Sequence, residues 1–260
     1  MVEFVVGQTE TGAVSAAAFG TPKWKTHVRE TPPVRDPRGR SRPTHRFSPY
    51  CEALQRNVGI EGGNELTCFL LLEILHAAGL IRWFKEQPFA LTKEQHGIEA
   101  TPDFIFEWMD GRLYVPEVKS AKFVTSDVED KTAQLAAFMA KEDITYVLWT
   151  DKKHLHKRLW HNVRAVRRAG IGFFSPADVE RVRATVRDGP KTLQQLIDGG
   201  VDSDLVLNQI RAGAMHFNLL EKRNAKTIIT PCAEPALYAD LLSSRPDPES
   251  WWNALPDHRP

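Results

Sequence analysis

Hydrophobic and polar residues form regular patterns from about residue 50 onwards, whereas residues 1–47 lack sustained periodicity. A helix is predicted over Glu65–Ala77, with Asn64 as its N-cap, because apolar residues recur there at helical spacing. These apolar residues are Leu66, Phe69, Leu70 and Ile74. Short strands are predicted at Leu80–Phe84 and Phe89–Leu91, on either side of a Gln-Pro pair that interrupts the pattern.

The next stretch of the chain predicts a β-hairpin. From Phe104 on, aromatic residues occupy every second position along Pro102–Trp108, as in a strand. The Asp110-Gly111 pair favours a tight turn, and Arg112–Ser120 returns as the second strand. The later pattern predicts a helix that opens at a Ser126/Glu129 capping box and runs to about Lys141, a buried strand at Ile144–Trp149, a basic helix at His154–Ala169 and a strand at Ile171–Phe174. A hairpin requires an antiparallel pair, so the fold class is α/β with a mixed sheet core flanked by helices.

The pattern changes after Ser175-Pro176. Three short helices are predicted there, at Ala177–Val186, Thr192–Asp198 and Ser203–His216, followed by strands at Phe217–Glu221 and Thr227–Thr230. Three helices and a hairpin are typical of a winged-helix-like C-terminal domain. The chain is therefore divided into a basic, Pro/Arg-rich N-terminal arm (1–47), an α/β domain (48–174), a winged-helix-like domain (175–232) and a C-terminal tail (233–260).

Composition excludes several broad classes of protein. Hydrophobic residues make up 42% and charged residues 26% of 260 residues, values typical of a soluble globular protein, and the net charge is only +1. The three cysteines are widely separated, which favours a reducing cytoplasm over a disulfide framework. The longest apolar run is interrupted by Glu73, so no membrane association is expected.

The residues with the clearest chemical meaning lie on the predicted hairpin. Glu117 and Lys119 are two positions apart on one strand, so their side chains share a face, and Asp103 near the start of the neighbouring strand can reach the same place. Clustered carboxylates repel one another unless a hard cation separates them, and Mg²⁺ suits oxygen ligands. A lysine beside such an ion can orient water or stabilise charge on a phosphate. This combination predicts phosphodiester hydrolysis, against the alternative of an ordinary surface ion pair.

A third acid on the preceding helix would complete such a site, and the residues alone leave two candidates. Glu65 lies in the first helical turn, where the helix dipole favours a carboxylate, and Glu73 interrupts the apolar run. They are eight residues apart, which places them about 80° apart around the helix axis.

A resemblance to a known family is carried by Asn64-Glu65-Leu66, Phe69–Glu73, Glu86-Gln87-Pro88, Thr101–Phe104 and Glu117-Val118-Lys119. Over roughly residues 50–230 the chain resembles the TnsA family, the endonuclease subunits of heteromeric cut-and-paste transposases. The resemblance implies a restriction-endonuclease-like PD-(D/E)xK nuclease domain over residues 48–174. It also implies that Glu65, rather than Glu73, joins Asp103, Glu117 and Lys119 as a catalytic residue. Mg²⁺, for which Mn²⁺ would substitute, is then expected on Glu65, Asp103, Glu117 and the backbone carbonyl of Val118.

The resemblance further implies a place in bacterial, cytoplasmic DNA transposition. TnsA-like proteins cut the non-transferred strand at the 5′ ends of the element, together with an RNase H-like transposase subunit and an AAA+ ATPase regulator that contacts the C-terminal region. Double-stranded DNA at transposon ends is the expected substrate. A restriction or repair endonuclease of the same fold, and a catalytically inactive DNA- or protein-binding module, remain the alternatives.

Two clusters of basic and histidine residues have more than one interpretation. The basic helix could follow a DNA backbone or be a solvated face; its candidate DNA-binding residues are Lys152, Lys153, Lys157, Arg158, Arg164, Arg167 and Arg168. His154, His156 and His161 lack cysteine or carboxylate partners at metal-ligand spacing, which favours exposed polar residues over a zinc site. The third helix of the C-terminal domain carries a single basic residue, Arg211, which favours protein contact over base reading.

Overall fold

The central element of the molecule is a four-stranded mixed sheet. The computed structural model describes residues 21–34, 45–93, 98–169, 174–238 and 241. Four two-residue strands, β1 to β4, come first, at Arg46–Phe47, Tyr50–Cys51, Arg56–Asn57 and Ile60–Glu61. The sheet follows, with β5 (Ile81–Glu86), β6 (Phe104–Trp108), β7 (Leu113–Lys119) and β8 (Ile144–Thr150) in the spatial order β5-β6-β7-β8. β6 is antiparallel to both β5 and β7, and β8 is parallel to β7, so the predicted mixed sheet is confirmed.

Helices cover both faces of this sheet. Those of the described residues are α1 (Pro22–Glu30), α2 (Gly63–Ala77), α3 (Ser126–Ala140), α4 (Lys157–Ala169), α5 (Pro176–Arg187), α6 (Leu193–Asp198) and α7 (Ser203–Arg211). Alternation along β6 directs Phe104 and Phe106 into one hydrophobic cluster with α2 and α4, and Ile105 into a second with α1 and α3. None of the helices in the described ranges is long and apolar enough to cross a membrane.

The central helix α2 differs from its prediction in two respects. It begins at Gly63 rather than Glu65, with Gly62 at its N-cap and no capping side chain, so Asn64 lies inside the first turn. Its residues from Thr67 to Leu72 are all buried because both the sheet and the C-terminal helices pack on it. The predicted capping box at Ser126 is also absent, since Thr125 occupies the N-cap of α3 without a side-chain hydrogen bond.

Part of the N-terminal arm belongs to the folded core, contrary to the prediction of an extended segment. Thr21 caps α1 by accepting from the backbone N–H of Trp24 at 3.3 Å, and Trp24 packs against Phe89 with ring centroids 5.6 Å apart. The buried Lys85 of β5 donates to the carbonyl oxygens of Val28 and Thr31 at the carboxyl end of α1. A cation at this end satisfies carbonyls that a helix leaves unpaired. This helix was not predicted because the residues that hold it, Lys85 and Phe89, lie more than fifty residues away along the chain.

The C-terminal helices α5–α7 share one hydrophobic cluster with α2 and α4. Gly213, just after α7, has a φ of +74° and packs against the end of α2. A Cβ at this position would lie 1.8 Å from the Ala77 carbonyl oxygen. Asn162 of α4 donates to the carbonyl oxygens of Leu219 and Glu221, at 2.9 and 2.7 Å. The helical part of 175–232 is therefore packed directly onto the α/β part.

The β-structure of this region differs from its prediction. Residues 217–221 do not form a strand: Leu219 and Leu220 form a buried turn, and Asn162 donates to the Leu219 carbonyl. The pair that does form joins β9 (Lys191–Thr192) to β10 (Ile228–Ile229), and Thr230 bridges to His216. The start of the tail also enters the core: Tyr238 is fully buried, and Trp149 donates to the Leu241 carbonyl at 3.0 Å. Of the predicted strand Ile171–Phe174, the first three residues lie outside the described residues.

Candidate active site

Asp103 lies where β6 and β7 separate. The two strands pair near the turn, with Phe106 opposite Tyr114 and Glu107 opposite Leu113. Farther from the turn, a side chain replaces the backbone hydrogen bonds between the strands: Asp103 Oδ2 accepts from the backbone N–H of Val118 at 2.7 Å. Because the N–H and C=O of one strand residue point to the same side, the Val118 carbonyl also faces the Asp103 side of β7.

Glu117 and Lys119 share one face of β7, as their spacing predicted. Lys119 Nζ donates to Glu117 Oε1 at 2.7 Å, and the two side chains are 37% and 17% exposed, respectively. Glu117 also hydrogen-bonds the buried phenol of Tyr146 on β8. Burial first, and then the negative charges of Glu117 and Asp103, raise the pKa of Tyr146, so this hydroxyl remains a donor.

The two acids of α2 have different surroundings. Glu65 is near enough to Asp103 and Lys119 to affect the pKa of each, and it accepts from the backbone N–H of Glu61 at 3.0 Å. Glu73 forms an ion pair with Arg167 at 3.2 Å. The structure therefore brings Glu65 to the hairpin carboxylates and places Glu73 in a separate ion pair with α4.

The electrostatics of the site are dominated by an excess of negative charge. The pKa of Asp103 is raised well above its ordinary value by burial, then by the charges of Glu117 and Glu65, against the lowering effect of the Val118 N–H. The pKa of Lys119 is raised, because the attraction of Glu117 and of the other two acids outweighs its burial. Three carboxylates are thus grouped around a single lysine, which favours occupation by an additional cation.

The donor set fits a divalent cation of the hard class. Three carboxylates, with a carbonyl on the same side of β7, supply only oxygen atoms, as Mg²⁺ prefers. No group of three or more His, Cys, Asp or Glu residues in the described ranges already has the spacing of a metal site. Glu117 instead pairs with Lys119, and Asp103 with the Val118 N–H.

A cavity of about 550 Å³ opens beside Glu117 and Lys119. Helix α3 contributes Val128, Lys131, Thr132 and Leu135 to its wall, from positions that recur at helical spacing, and the 99–101 segment closes another side. Lys131 is exposed, and Thr132 carries a hydroxyl one residue later. The cavity therefore combines cationic and hydroxyl donors with the carboxylate cluster, a suitable environment for a phosphate group.

Asp151 connects the elements that carry Glu65 and Lys119, a role that the sequence did not reveal. Its carboxylate accepts from the Ser120 hydroxyl and the Ala121 N–H, each at 2.8 Å, and from the side chain of Asn64. Burial raises the pKa of Asp151, but these hydrogen bonds outweigh it and the net pKa is lowered. The signal was hidden because Asp151 is close to its partners only after β8 pairs in parallel with β7.

The candidate DNA-binding residues lie on α4 and in the turn before it, in different surroundings. Lys152 and Lys157 line a groove of about 460 Å³ beside the start of α2. Arg167, at the other end of α4, pairs with Glu73 and donates to the Tyr50 carbonyl at 2.7 Å, contacts that hold α4 against α2 and β2. Arg164 stacks on Trp160 at 4.5 Å. The remaining candidates, Lys153, Arg158 and Arg168, lie on or beside α4.

One histidine assignment was wrong. His154 is buried, with its ring stacked on Trp149 and its Nδ1 accepting from the Thr150 N–H at 3.3 Å. Burial lowers its pKa to about 3, so this ring is neutral at physiological pH. His154 is thus a hydrogen-bonding core residue rather than an exposed one.

Comparison with known proteins adds no assignment. No protein-family model matches this chain. No curated protein matches it either.

Proposed function

We propose that this protein is a Mg²⁺-dependent DNA endonuclease with a restriction-endonuclease-like core. The observation that carries the proposal is the grouping of Glu65, Asp103 and Glu117 around Lys119, with Asp103 held on the N–H of Val118. Such an excess of carboxylates costs folding free energy, and a function that uses a divalent cation accounts for it.

Each residue of the site has a distinct role in this proposal. Glu65, Asp103, Glu117 and the Val118 carbonyl hold the ion, which when bound polarises the scissile phosphate and lowers the pKa of a bound water. Lys119 orients the attacking water or stabilises negative charge that develops on the phosphate. Tyr146 holds Glu117 in place by its hydrogen bond. Lys131 and Thr132 are placed to contact phosphate groups in the adjacent cavity.

We further propose that the DNA substrate is a transposon end, cut on the non-transferred strand. The support is the run of TnsA-like motifs, whose acid and lysine positions coincide with the residues of the site. In this proposal an RNase H-like transposase subunit cuts and joins the other strand, an AAA+ ATPase regulates both proteins, and the reaction takes place in a bacterial cytoplasm.

The C-terminal region is proposed as a winged-helix-like domain that contacts the ATPase. Arg211, the single basic residue of α7, pairs with Glu52 at 2.8 Å, so α7 offers no unpaired cation for reading DNA bases. Ile197 and Ile228 of the same region are 41% and 50% exposed. A surface with these properties favours contact with a protein.

The decisive experiment measures strand cutting of a labelled transposon-end duplex in Mg²⁺ with and without the partner transposase. Cutting that requires both Mg²⁺ and the partner, and that is abolished by Asp103→Ala, supports the proposal. Vigorous, sequence-specific cutting by the chain alone would instead indicate a restriction or repair enzyme. DNA binding with no cutting under any of these conditions would indicate an inactive binding module.

A further inference from the structure

An exposed aromatic residue lies immediately beyond the candidate site. The chain leaves β7 at Lys119 and forms a short 3₁₀ turn, Ala121–Phe123. Phe123 is 63% exposed, more than any other large hydrophobic residue of the described ranges. Lys122 Nζ lies 4.8 Å from the centroid of its ring. This ring therefore contributes nothing to the hydrophobic core and is available to a binding partner.

This turn is held firmly although its tip is exposed. Asp151 accepts hydrogen bonds from Ser120 Oγ and the Ala121 N–H, both at 2.8 Å, which fixes the residues just before the tip. The same carboxylate hydrogen-bonds Asn64, the neighbour of Glu65. The position of Phe123 relative to the carboxylate cluster is therefore set by the fold, as a substrate contact requires.

The surroundings of the turn favour a polyanionic partner. Lys119 pairs in register with Thr150, so β7 and β8 end at the same edge of the sheet. Lys122 directly follows Ala121, and Lys152 directly follows Asp151, the two residues joined by the hydrogen bond described above. Lys152 also lines the groove that runs to Lys157. Cations at a sheet edge next to a phosphodiesterase-like site complement the charge of nucleic acid.

We propose that the Lys122–Phe123 turn is a DNA-contacting element, in which the Phe123 ring packs on a nucleotide next to the scissile phosphate and Lys122 pairs with a backbone phosphate. This inference rests on the proposed endonuclease function and adds a substrate contact that the motifs do not contain. In a duplex, an aromatic side chain makes such a contact as an apolar wedge between base steps, which suits an element that positions DNA instead of reading it.

The test measures binding of a fluorescein-labelled transposon-end duplex by anisotropy, with Ca²⁺ replacing Mg²⁺ to hold back cleavage. Phe123→Ala is expected to weaken binding roughly tenfold without changing the salt dependence, and Phe123→Trp to restore it. Lys122→Gln is expected to lower the slope of log K against log salt by about one. 2-Aminopurine placed beside the cut site should change fluorescence with the wild-type protein and not with Phe123→Ala.

Met109→Ala is the matched control, because Met109 is also exposed (47%) but lies in the turn at the opposite end of β7. It should bind DNA as the wild type does. If Phe123→Ala binds and positions DNA as well as the wild type does, the inference is wrong while the endonuclease proposal stands. If the wild-type protein neither binds nor cuts DNA, both are wrong.

Discussion

Replacing Asp103 by Asn tests whether the carboxylate cluster costs stability in the absence of metal. The substitution removes a charge with little change of shape, and the amide oxygen can still accept from the Val118 N–H. Burial, Glu117 and Glu65 all disfavour the ionised form of Asp103. Asp103→Asn should therefore stabilise the metal-free protein, although it should abolish strand cutting. A variant that is inactive yet more stable is expected when a residue is retained for function.

Removal of one of three grouped carboxylate charges should stabilise the metal-free protein by about 1–2 kcal/mol at pH 7, within the usual range for a single substitution and reduced by the weaker hydrogen bond of a neutral acceptor. The pH dependence follows from linkage. The pKa of Asp103 is raised in the folded state, so its contribution to stability is fully present below the unfolded value near 3.9 and is lost as pH rises through the folded value. The advantage of the Asn variant should thus be small near pH 4 and grow towards neutral pH.

Glu86→Gln provides a control with the opposite sign. Glu86 lies on the neighbouring strand, directly opposite Phe104, the residue that follows Asp103. Both of its oxygens bind the guanidinium of Arg56, so its charge is compensated. Loss of this pair should destabilise the protein by about 1–3 kcal/mol.

The assay is urea unfolding in EDTA and in Mg²⁺, followed by circular dichroism at several pH values. Mg²⁺ at a hundred times its Kd should stabilise the wild type by about 2.7 kcal/mol and leave Asp103→Asn nearly unchanged. An Asn variant that is less stable than the wild type in EDTA at pH 7, or equal stabilisation of both proteins by Mg²⁺, would contradict the reasoning.

Three further predictions concern residues that the site or fold uses. Tyr146→Phe removes the hydroxyl that holds Glu117, so the single-turnover cutting rate should fall several-fold at unchanged DNA affinity; an unchanged rate would exclude a positioning role. Asn162→Leu leaves the carbonyls of the 219–221 turn unpaired and should cost about 1–3 kcal/mol in urea unfolding, whereas His161→Leu on the exposed face should not. Lys85→Met removes the donor at the end of α1, so limited proteolysis should release residues before 34 faster than in the wild type; equal rates would count against this anchor.

The β-hairpin could be predicted from sequence because its determinants are local. The alternation of side chains along Phe104–Trp108 and the Asp110-Gly111 turn together predicted the strand pair. Gly111 adopts the expected positive φ of +90°. The spacing of Glu117 and Lys119 then determined that their side chains share a face, which their ion pair shows. Local pattern also sufficed for β8, whose apolar, β-branched character predicts a buried strand.

Features that depend on distant partners could not be read from the sequence. Helix α1 is short and is held by Lys85 and Phe89, which no local pattern connects to it. Asp151 resembles any acid at the end of a strand until β8 brings it to Ser120. Residues 217–221 have strand-like composition, but Asn162 takes up their carbonyls and a turn forms instead. In each case a contact between residues far apart in the sequence determined the local structure or the role of the residue.

The balance of charges offers a way to separate functional from structural carboxylates in this chain. Several buried or half-buried acids each face a base: Glu73 faces Arg167, Glu86 faces Arg56 and Glu107 faces Lys25. In each of these pairs one acid has one base as its partner. Around Lys119, by contrast, three acids are grouped, and the pKa of Asp103 is raised by its burial and then by the charges of Glu117 and Glu65, which one lysine does not offset. A divalent cation would restore the balance with oxygen ligands alone, so the residual negative charge is itself the strongest structural argument for the proposed metal-dependent chemistry.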